Sequence, residues 1–562
     1  MSVPLRTTYC QQPYPGRVGL LGFIGVWILS GCAWVPGQQP RIVPTYESLG
    51  ISWSPLTGGR ERTCAISYRQ AGDTAWETGF PLWYDKRDLE YRGSLVSLRP
   101  GTTYEIRLQT SGPLGTEGYA VARTWDESPP VADTVWVCSS AEPLEICQGG
   151  AATGYVLYLP CPGDAGIVDV QHQYDYCVNL DASYVILRGL TLRGARMHGV
   201  QIGLQQDLII ERCDISGWGR PAPGFEAQGF GENFDAGIYS QGDGDRPRRI
   251  TIQDNHIHHP RYGANHWEET GPRGNHPYGP QAISVLQGGG HYVIRYNAIY
   301  SSEGHYFNDA MGEWRNFTFE GFPGRDTDIA HNYISHCRDN AIEAEGGNQN
   351  VRIWANYTTH TYRHIATANT NLGPVYIWRN VSGLAERAPG DNRAFWTKIA
   401  SLRKPDPEGM EPQGMIYVFH NTLTQPLVDG KPMGVADALA SKTLYTRNNI
   451  FWCSLSQGAA AIHDAAYPEN SFDYDLYNGQ IEGPPGSERH GIRDQAPVYA
   501  PDNQPADPAR QQGGTWFLSP GSPGHDAGTF VPGFSQGAVG AGPDMGAFEA
   551  GGAGIWFGPR KP

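Results

Sequence analysis

The chain has 562 residues, 72 of them Gly, with 11% aromatic and only 18% charged residues. This composition suits a β-rich, turn-rich protein with a large core and excludes a coiled coil or a disordered tail. The formal net charge of −15 gives no basis for nucleic-acid binding or for a polybasic membrane surface.

The N-terminus reads as a processing signal. Arg6 and Arg17 precede an apolar run from Val18 to Leu29 that is too short to span a bilayer. The run ends in Leu29-Ser30-Gly31-Cys32, which resembles a bacterial lipobox. The resemblance implies that residues 1–32 are signal and lipobox, that Cys32 is diacylated, and that it becomes the first residue of the mature protein. Ala33 in the next position implies an outer-membrane lipoprotein. Lipid chains anchor such a protein in the membrane without a transmembrane helix.

A short Gly/Pro/Gln linker, residues 33–41, leads into short alternating strands over 42–127. Trp53, Cys64-Ala-Ile-Ser-Tyr68 and above all Leu98-Arg-Pro-Gly-Thr-Thr-Tyr104-Glu-Ile-Arg-Leu108 resemble a fibronectin type III domain. The resemblance implies a β-sandwich in which Tyr104 makes the tyrosine corner and Ile106 and Leu108 point inward, acting as a spacer or docking surface. Ser128-Pro-Pro-Val131 reads as a hinge. Export permits disulfides; Cys138 with Cys147 and Cys161 with Cys177 are sequence-close pairs that could staple the start of the next domain. Cys64, Cys213, Cys337 and Cys453 read as buried apolar residues. No Cys or Cys/His spacing suits zinc.

From residue 135 to 550 a phrase recurs: an alternating apolar stretch that ends in Asn. It reads Thr251-Ile-Gln-Asp-Asn255, Val293-Ile-Arg-Tyr-Asn297, Ile329-Ala-His-Asn332, Val351-Arg-Ile-Trp-Ala-Asn356, Val375-Tyr-Ile-Trp-Arg-Asn380, Ile416-Tyr-Val-Phe-His-Asn421 and Leu444-Tyr-Thr-Arg-Asn-Asn449. Asn332, Asn356 and Asn380 are 24 apart. Period-2 strands at such intervals predict a solenoid whose coils bury their apolar faces by stacking. Each Asn is expected to bend the chain and to bond its counterpart one rung away. Insertions at about 216–235 and 259–280, with irregular stretches at 303–325 and 404–413, are expected to wall a cleft. The phrase Leu518-Ser-Pro-Gly-Ser-Pro-Gly-His-Asp-Ala-Gly528 with Gly542-Pro-Asp-Met-Gly-Ala-Phe-Glu549 resembles a terminal segment of bacterial right-handed parallel β-helix proteins and reads as a cap. The fold expected is therefore all-β: a right-handed parallel β-helix, of the pectate-lyase-like architecture, preceded by the small sandwich.

Counting sixteen residues back from the turn Asn aligns Gln281, Asn340 and His364. With Ile342 and Ala344 inward, Glu343 and Glu345 face out, followed one rung on by Thr367 and Asn369 and then by Trp396 and Lys398. Paired carboxylates at i and i+2 lie near the lower end of the spacing used by inverting glycosidases, and their repulsion raises one pKa, as a general acid needs. Trp396 suits stacking on a sugar ring. The expected catalytic set is Glu343, Glu345, Lys398 and His364; the expected substrate-binding set is Trp396, Asn369, Thr367, Asn340 and Asp309, with Asp339 and Glu313 as nearby carboxylates.

Resemblance to lyases on this architecture implies an alternative. There Glu343 and Glu345 would hold Ca²⁺, with Lys398 or His364 as base, acting on a uronate polymer as lyase or C5-epimerase. Gly346-Gly-Asn-Gln-Asn350 departs from that pattern, which places a catalytic Lys close after the acidic pair. No cofactor is firmly implied. The partner expected is an extracellular or envelope polysaccharide, hydrolysed in the first reading and only bound in the third, by a glycan-binding or structural surface protein. His256-Ile-His-His259 reads as surface or substrate-loop histidines, and Gly242-Asp-Gly-Asp245 as a tight loop.

Overall fold

A computed structural model describes residues 39–314, 318–367, 370–385, 414–425, 433–436, 443–453, 460–463 and 466–561. Among them, strands β1 (Arg41–Pro44), β2 (Leu49–Trp53), β3 (Cys64–Gln70), β4 (Glu77–Thr78), β5 (Trp83–Asp85), β6 (Glu90–Leu95), β7 (Thr103–Thr110) and β8 (Glu117–Arg123) form a sandwich. One antiparallel sheet runs β1-β2-β6-β5 and the other β4-β3-β7-β8. In β7 the alternation does the folding: Tyr104, Ile106 and Leu108 enter the core beside Trp53, Ile66 and Tyr91, while Glu105 and Arg107 do not. The Tyr104 hydroxyl accepts the Arg99 N–H at 2.9 Å.

The rest is a right-handed parallel β-helix with three faces. Val131–Val137 is the first strand of the first face, so Ser128-Pro-Pro-Val131 leads directly into a coil. Pairing is parallel and in register, for instance Val351↔Val375↔Ile416↔Leu444 along the first face. One apolar core runs from Val137 to Tyr477.

The Asn ladder stands at the corner between the first and second faces. Asn332 Nδ2 donates to Asn356 Oδ1 and to Ile294 O, both at 2.9 Å, and its N–H reaches the same Asn356 Oδ1 at 3.1 Å. The pattern repeats from Asn255 to Asn449 and ends on Asp475, which accepts two bonds from Asn449 at 2.8 Å. The residue before each Asn is left-handed: Asp254, Tyr296, His331, Ala355, Arg379, His420 and Asn448 have φ from 51° to 60°. Such a conformation costs about 1–2 kcal/mol outside Gly, and the buried Asn bonds offset it.

Those left-handed residues also hold the C-terminal segment, which lies along this corner. Gly546 N–H donates to Asn448 O, and Gly558 N–H to His331 O. Arg379 donates to Ala547 O at 2.8 Å, and Arg560 pairs with Asp254 at 2.7 Å. The segment thus runs back along the side of the coils.

The sandwich docks on the first face. Trp354, Trp378, Tyr376, Tyr417 and Phe419, outward on consecutive coils, pack with Val96 and Phe80 of the sandwich and Phe534 of the C-terminal segment. Arg352, fully buried, pairs with Asp328 and donates to Ser94 Oγ at 3.1 Å; Thr45 Oγ1 donates to Asp328 at 2.5 Å. A Cβ on Gly50 of β2 would lie 2.0 Å from Asp326 Oδ1, so the approach of the two domains requires glycine there. Cys138 is bonded to Cys161, while Cys177 is a buried free thiol, so the expected pairings of Cys138 with Cys147 and Cys161 with Cys177 do not form. Cys64, Cys213 and Cys337 are buried thiols, as expected.

Candidate active site

The third face has its own sequence rhythm. Val178, Val200, Ile238, Ile283, Met311, Ile342 and Ile365 are partners in register and point into the core. The residue before each is small, Cys177, Gly199, Gly237, Ala282, Ala310 and Ala341, until His364. The outward positions flank this pair. One outward column runs Gln281, Asp309, Asn340, Arg363; the other runs Tyr239, Ser284, Gly312, Glu343, Ala366.

Carboxylates concentrate where these columns cross the coils of Asp309 and Asn340. Asn340 donates its N–H and Nδ2 to Asp309 Oδ1 at 2.9 and 2.8 Å. Asp339 N–H donates to Asn308 O, and its carboxylate takes Arg363 Nη1 at 3.1 Å, with His276 Nε2 at 3.9 Å. Glu343 folds back over the preceding rung, where a Cβ on Gly312 would come within 2.6 Å of its Oε2 and 3.5 Å of Asp309 Cβ. Burial first, then the Asp339 carboxylate, push Asp309 up to about 8 against the two bonds from Asn340, and Glu345 adds to the rise. The carboxamide oxygens of Gln281, Asn308 and Asn340 are buried around Asp309 without hydrogen-bond partners.

The insertions wall this cluster. Trp267 packs on Tyr362, 5.5 Å between rings, and under the Arg363 guanidinium at 5.2 Å. Tyr278 donates to Glu232, Arg220 pairs with Asp235 at 2.7 Å, and Phe234 meets Trp314 at 5.1 Å. Glu313 pins the 303–325 stretch, accepting the N–H groups of Phe322 and Gln287 at 2.6 and 2.9 Å.

Several expectations need correction. Glu343 and Glu345, expected to face out, are buried: they are 7% and 1% exposed. His364 is not beside Asn340; a bulge between Cys337 and Asn340 shifts the register, and Arg363 is the true neighbour. His364 instead points inward at the small-residue position, with Nδ1 2.7 Å from Thr358 Oγ1, and burial pushes it down to about 3. It is no base for a bound substrate. Ala366, not Thr367, lies opposite Glu343, and Thr367 is fully buried. Asp309 and Asn340 are brought together, more intimately than the sequence suggested. Trp396, Lys398, Asn369 and Cys32 lie outside the described residues. Arg363 and the Asp339 ion pair were missed, and the out-in-in-out rhythm of the third face was the signal that would have found them.

Other motifs fall elsewhere. His256 and His258 are on the second face, His258 Nδ1 2.9 Å from His259 Nδ1. Asp243 accepts the N–H groups of Asp245 and Arg246, making a tight loop. Among the described residues, one trio of ligand side chains comes within 4.8 Å of one another: His525, Asp526 and Asp544, on the C-terminal segment. Asp544 spends its carboxylate on the N–H groups of Asp526 and Ala550.

Residues 176–372 match the family model described as right handed beta helix region. Among solved structures, the chain is similar to the catalytic unit of a thermostable GH87 alpha-1,3-glucanase from Streptomyces thermodiastaticus strain HF3-3. The identity is 12%, over 81% of this chain and 87% of that one, with a TM-score of 0.27. No curated protein matches the chain.

Proposed function

We propose that this protein hydrolyses glycosidic bonds of an extracellular or envelope polysaccharide, with Asp309 as general acid. The observation that carries this is a buried carboxyl pushed up to about 8 among three further carboxylates on two neighbouring coils. A general acid must hold its proton at neutral pH and release it in the transition state. Asp309 gives that proton to the glycosidic oxygen, the bond to the anomeric carbon breaks, and a water attacking that carbon passes its proton to Glu343. Asp339, ion-paired to Arg363, and Glu345 hold the proton on Asp309 by repulsion. Asp309 thus takes the acid's role first assigned to the Glu343/Glu345 pair. The lyase alternative loses His364 as its base, since that ring faces the core.

A polysaccharide panel digested with and without chelator tests this. New reducing ends without ultraviolet absorbance, abolished in Asp309→Asn, support hydrolysis. Absorbance from unsaturated uronates that disappears with chelator supports a calcium-dependent lyase, and neither signal supports a glycan-binding or structural protein. Anchoring through Cys32 and a fibronectin type III-like role for the sandwich belong to the same proposal. Fatty-acid labelling lost in Cys32→Ala is the expected mark of the anchor.

A further inference from the structure

The turn after Glu345 is not held by the β-helix alone. Gln349 Nε2 donates to Ser52 Oγ and Asn350 Nδ2 to Ile51 O, each at 3.2 Å, and both acceptors lie on β2. One coil on, Arg92 of β6 donates Nη1 to Leu372 O at 3.1 Å. Arg87 donates Nη1 to Asn371 O at 3.3 Å, with its guanidinium 5.3 Å from the centre of the Phe319 ring. The gripped segments are themselves bonded: Leu372 N–H to Gly347 O at 2.8 Å, and Gly346 N–H to Phe322 O at 3.1 Å. They form one stack of turns, and Glu345 enters it from the third face.

Arg92 is built for this task. It is 2% exposed, and Asp85 and Glu90 take Nη1 and Nε at 2.6 and 2.7 Å while Asp88 takes Nη2. Those carboxylates fix the plane of the guanidinium and aim Nη1 at the coil. A tethered spacer needs no buried cation directed at its neighbour.

We propose that the sandwich is a positioning element of the carboxylate cluster: by gripping Asn371 and Leu372 in the next coil's turn, which bonds the turn after Glu345 at Gly347, Arg92 and Arg87 set how close Glu345 stands to Asp309. Its chemical consequence rests on the hydrolase proposed above; its mechanics do not.

The full chain, Arg92→Met, Arg92→Lys and Arg87→Ala are compared. Hydrogen exchange over 343–350 and 370–373 is expected to speed up about tenfold in Arg92→Met and Arg87→Ala, with 176–300 unchanged. On a polysaccharide the full chain cleaves, Arg92→Met is expected to lower kcat about tenfold at unchanged KM. The alkaline limb of its pH–rate profile should move to lower pH, with partial recovery in Arg92→Lys. Arg87, with 39% of its side chain exposed, keeps the test open should Arg92→Met fail to fold. Unchanged exchange in the turn overturns the inference whatever the activity. Faster exchange with unchanged kcat and pH profile overturns it too, leaving the sandwich as support only. If nothing on the panel is cleaved, or Asp309→Asn retains turnover, the hydrolase fails and takes the chemical half with it, while exchange still decides the grip.

Discussion

Asp309 links chemistry and stability in one side chain. A carboxyl that titrates near 8 in the folded state but near 4 in the unfolded chain binds more protons folded than unfolded between those values. Its contribution to stability is therefore fully present below about pH 4 and is lost as pH rises toward 8, at up to about 1.4 kcal/mol per pH unit. Asp309→Asn cannot ionise, so urea unfolding should show the variant gaining on the wild type between pH 5 and pH 8. Turnover should fall by at least about a hundredfold in the same variant. A variant that loses activity and shows no such gain would mean Asp309 is an ordinary ionised carboxylate. At this scale the sequence was legible for the carboxylates as types and not for their order. Asp339 looks like any polar corner residue, and only the bulge between Cys337 and Asn340 reveals that Arg363, rather than His364, meets it.

Among the elements, the Asn corner was the most legible, because a side chain that must bend the chain and satisfy two rungs leaves little choice of residue. The left-handed residue before it was not legible, since Asp, Tyr, His, Ala, Arg and Asn all serve there and the conformation is imposed by the Asn bonds that follow. Asn356 donates to Ile329 O and Asn380 Oδ1 and accepts from Asn332. Asn356→Ala leaves those buried groups unpaired, at about 1–3 kcal/mol each. A lowered urea midpoint at unchanged slope is the expected result. An unchanged midpoint would mean that water or a shifted turn replaces the ladder. Glu343→Gln tests an element of a different kind, the strand that carries chemistry: turnover should fall with binding retained, because the amide keeps the shape but takes up no proton from water.

At the scale of the whole molecule, the sandwich, the coils and the C-terminal segment share one interface. The sequence marks the sandwich and the solenoid separately, and Ser128-Pro-Pro-Val131 reads as a hinge because docking leaves no local signature. What betrays it is the aromatic run on the outward side of the first face, Trp354, Tyr376, Trp378, Tyr417 and Phe419, which a free-standing β-helix would expose to water. At the centre lies the Arg352–Asp328 pair, 0% and 2% exposed. Removing one partner strands the other's charge in a dry interface, a cost of about 3–5 kcal/mol, whereas breaking a surface pair of the sandwich such as Arg123–Asp126, more than half exposed on both sides, should cost well under 1 kcal/mol. Arg352→Met is therefore expected to lower the thermal midpoint by several degrees and to make the aromatic face bind a hydrophobic dye before the coils melt; Arg123→Met should do neither. Dye binding that begins only with the main transition would mean that sandwich and β-helix unfold as one unit, with the interface as strong as the core it covers.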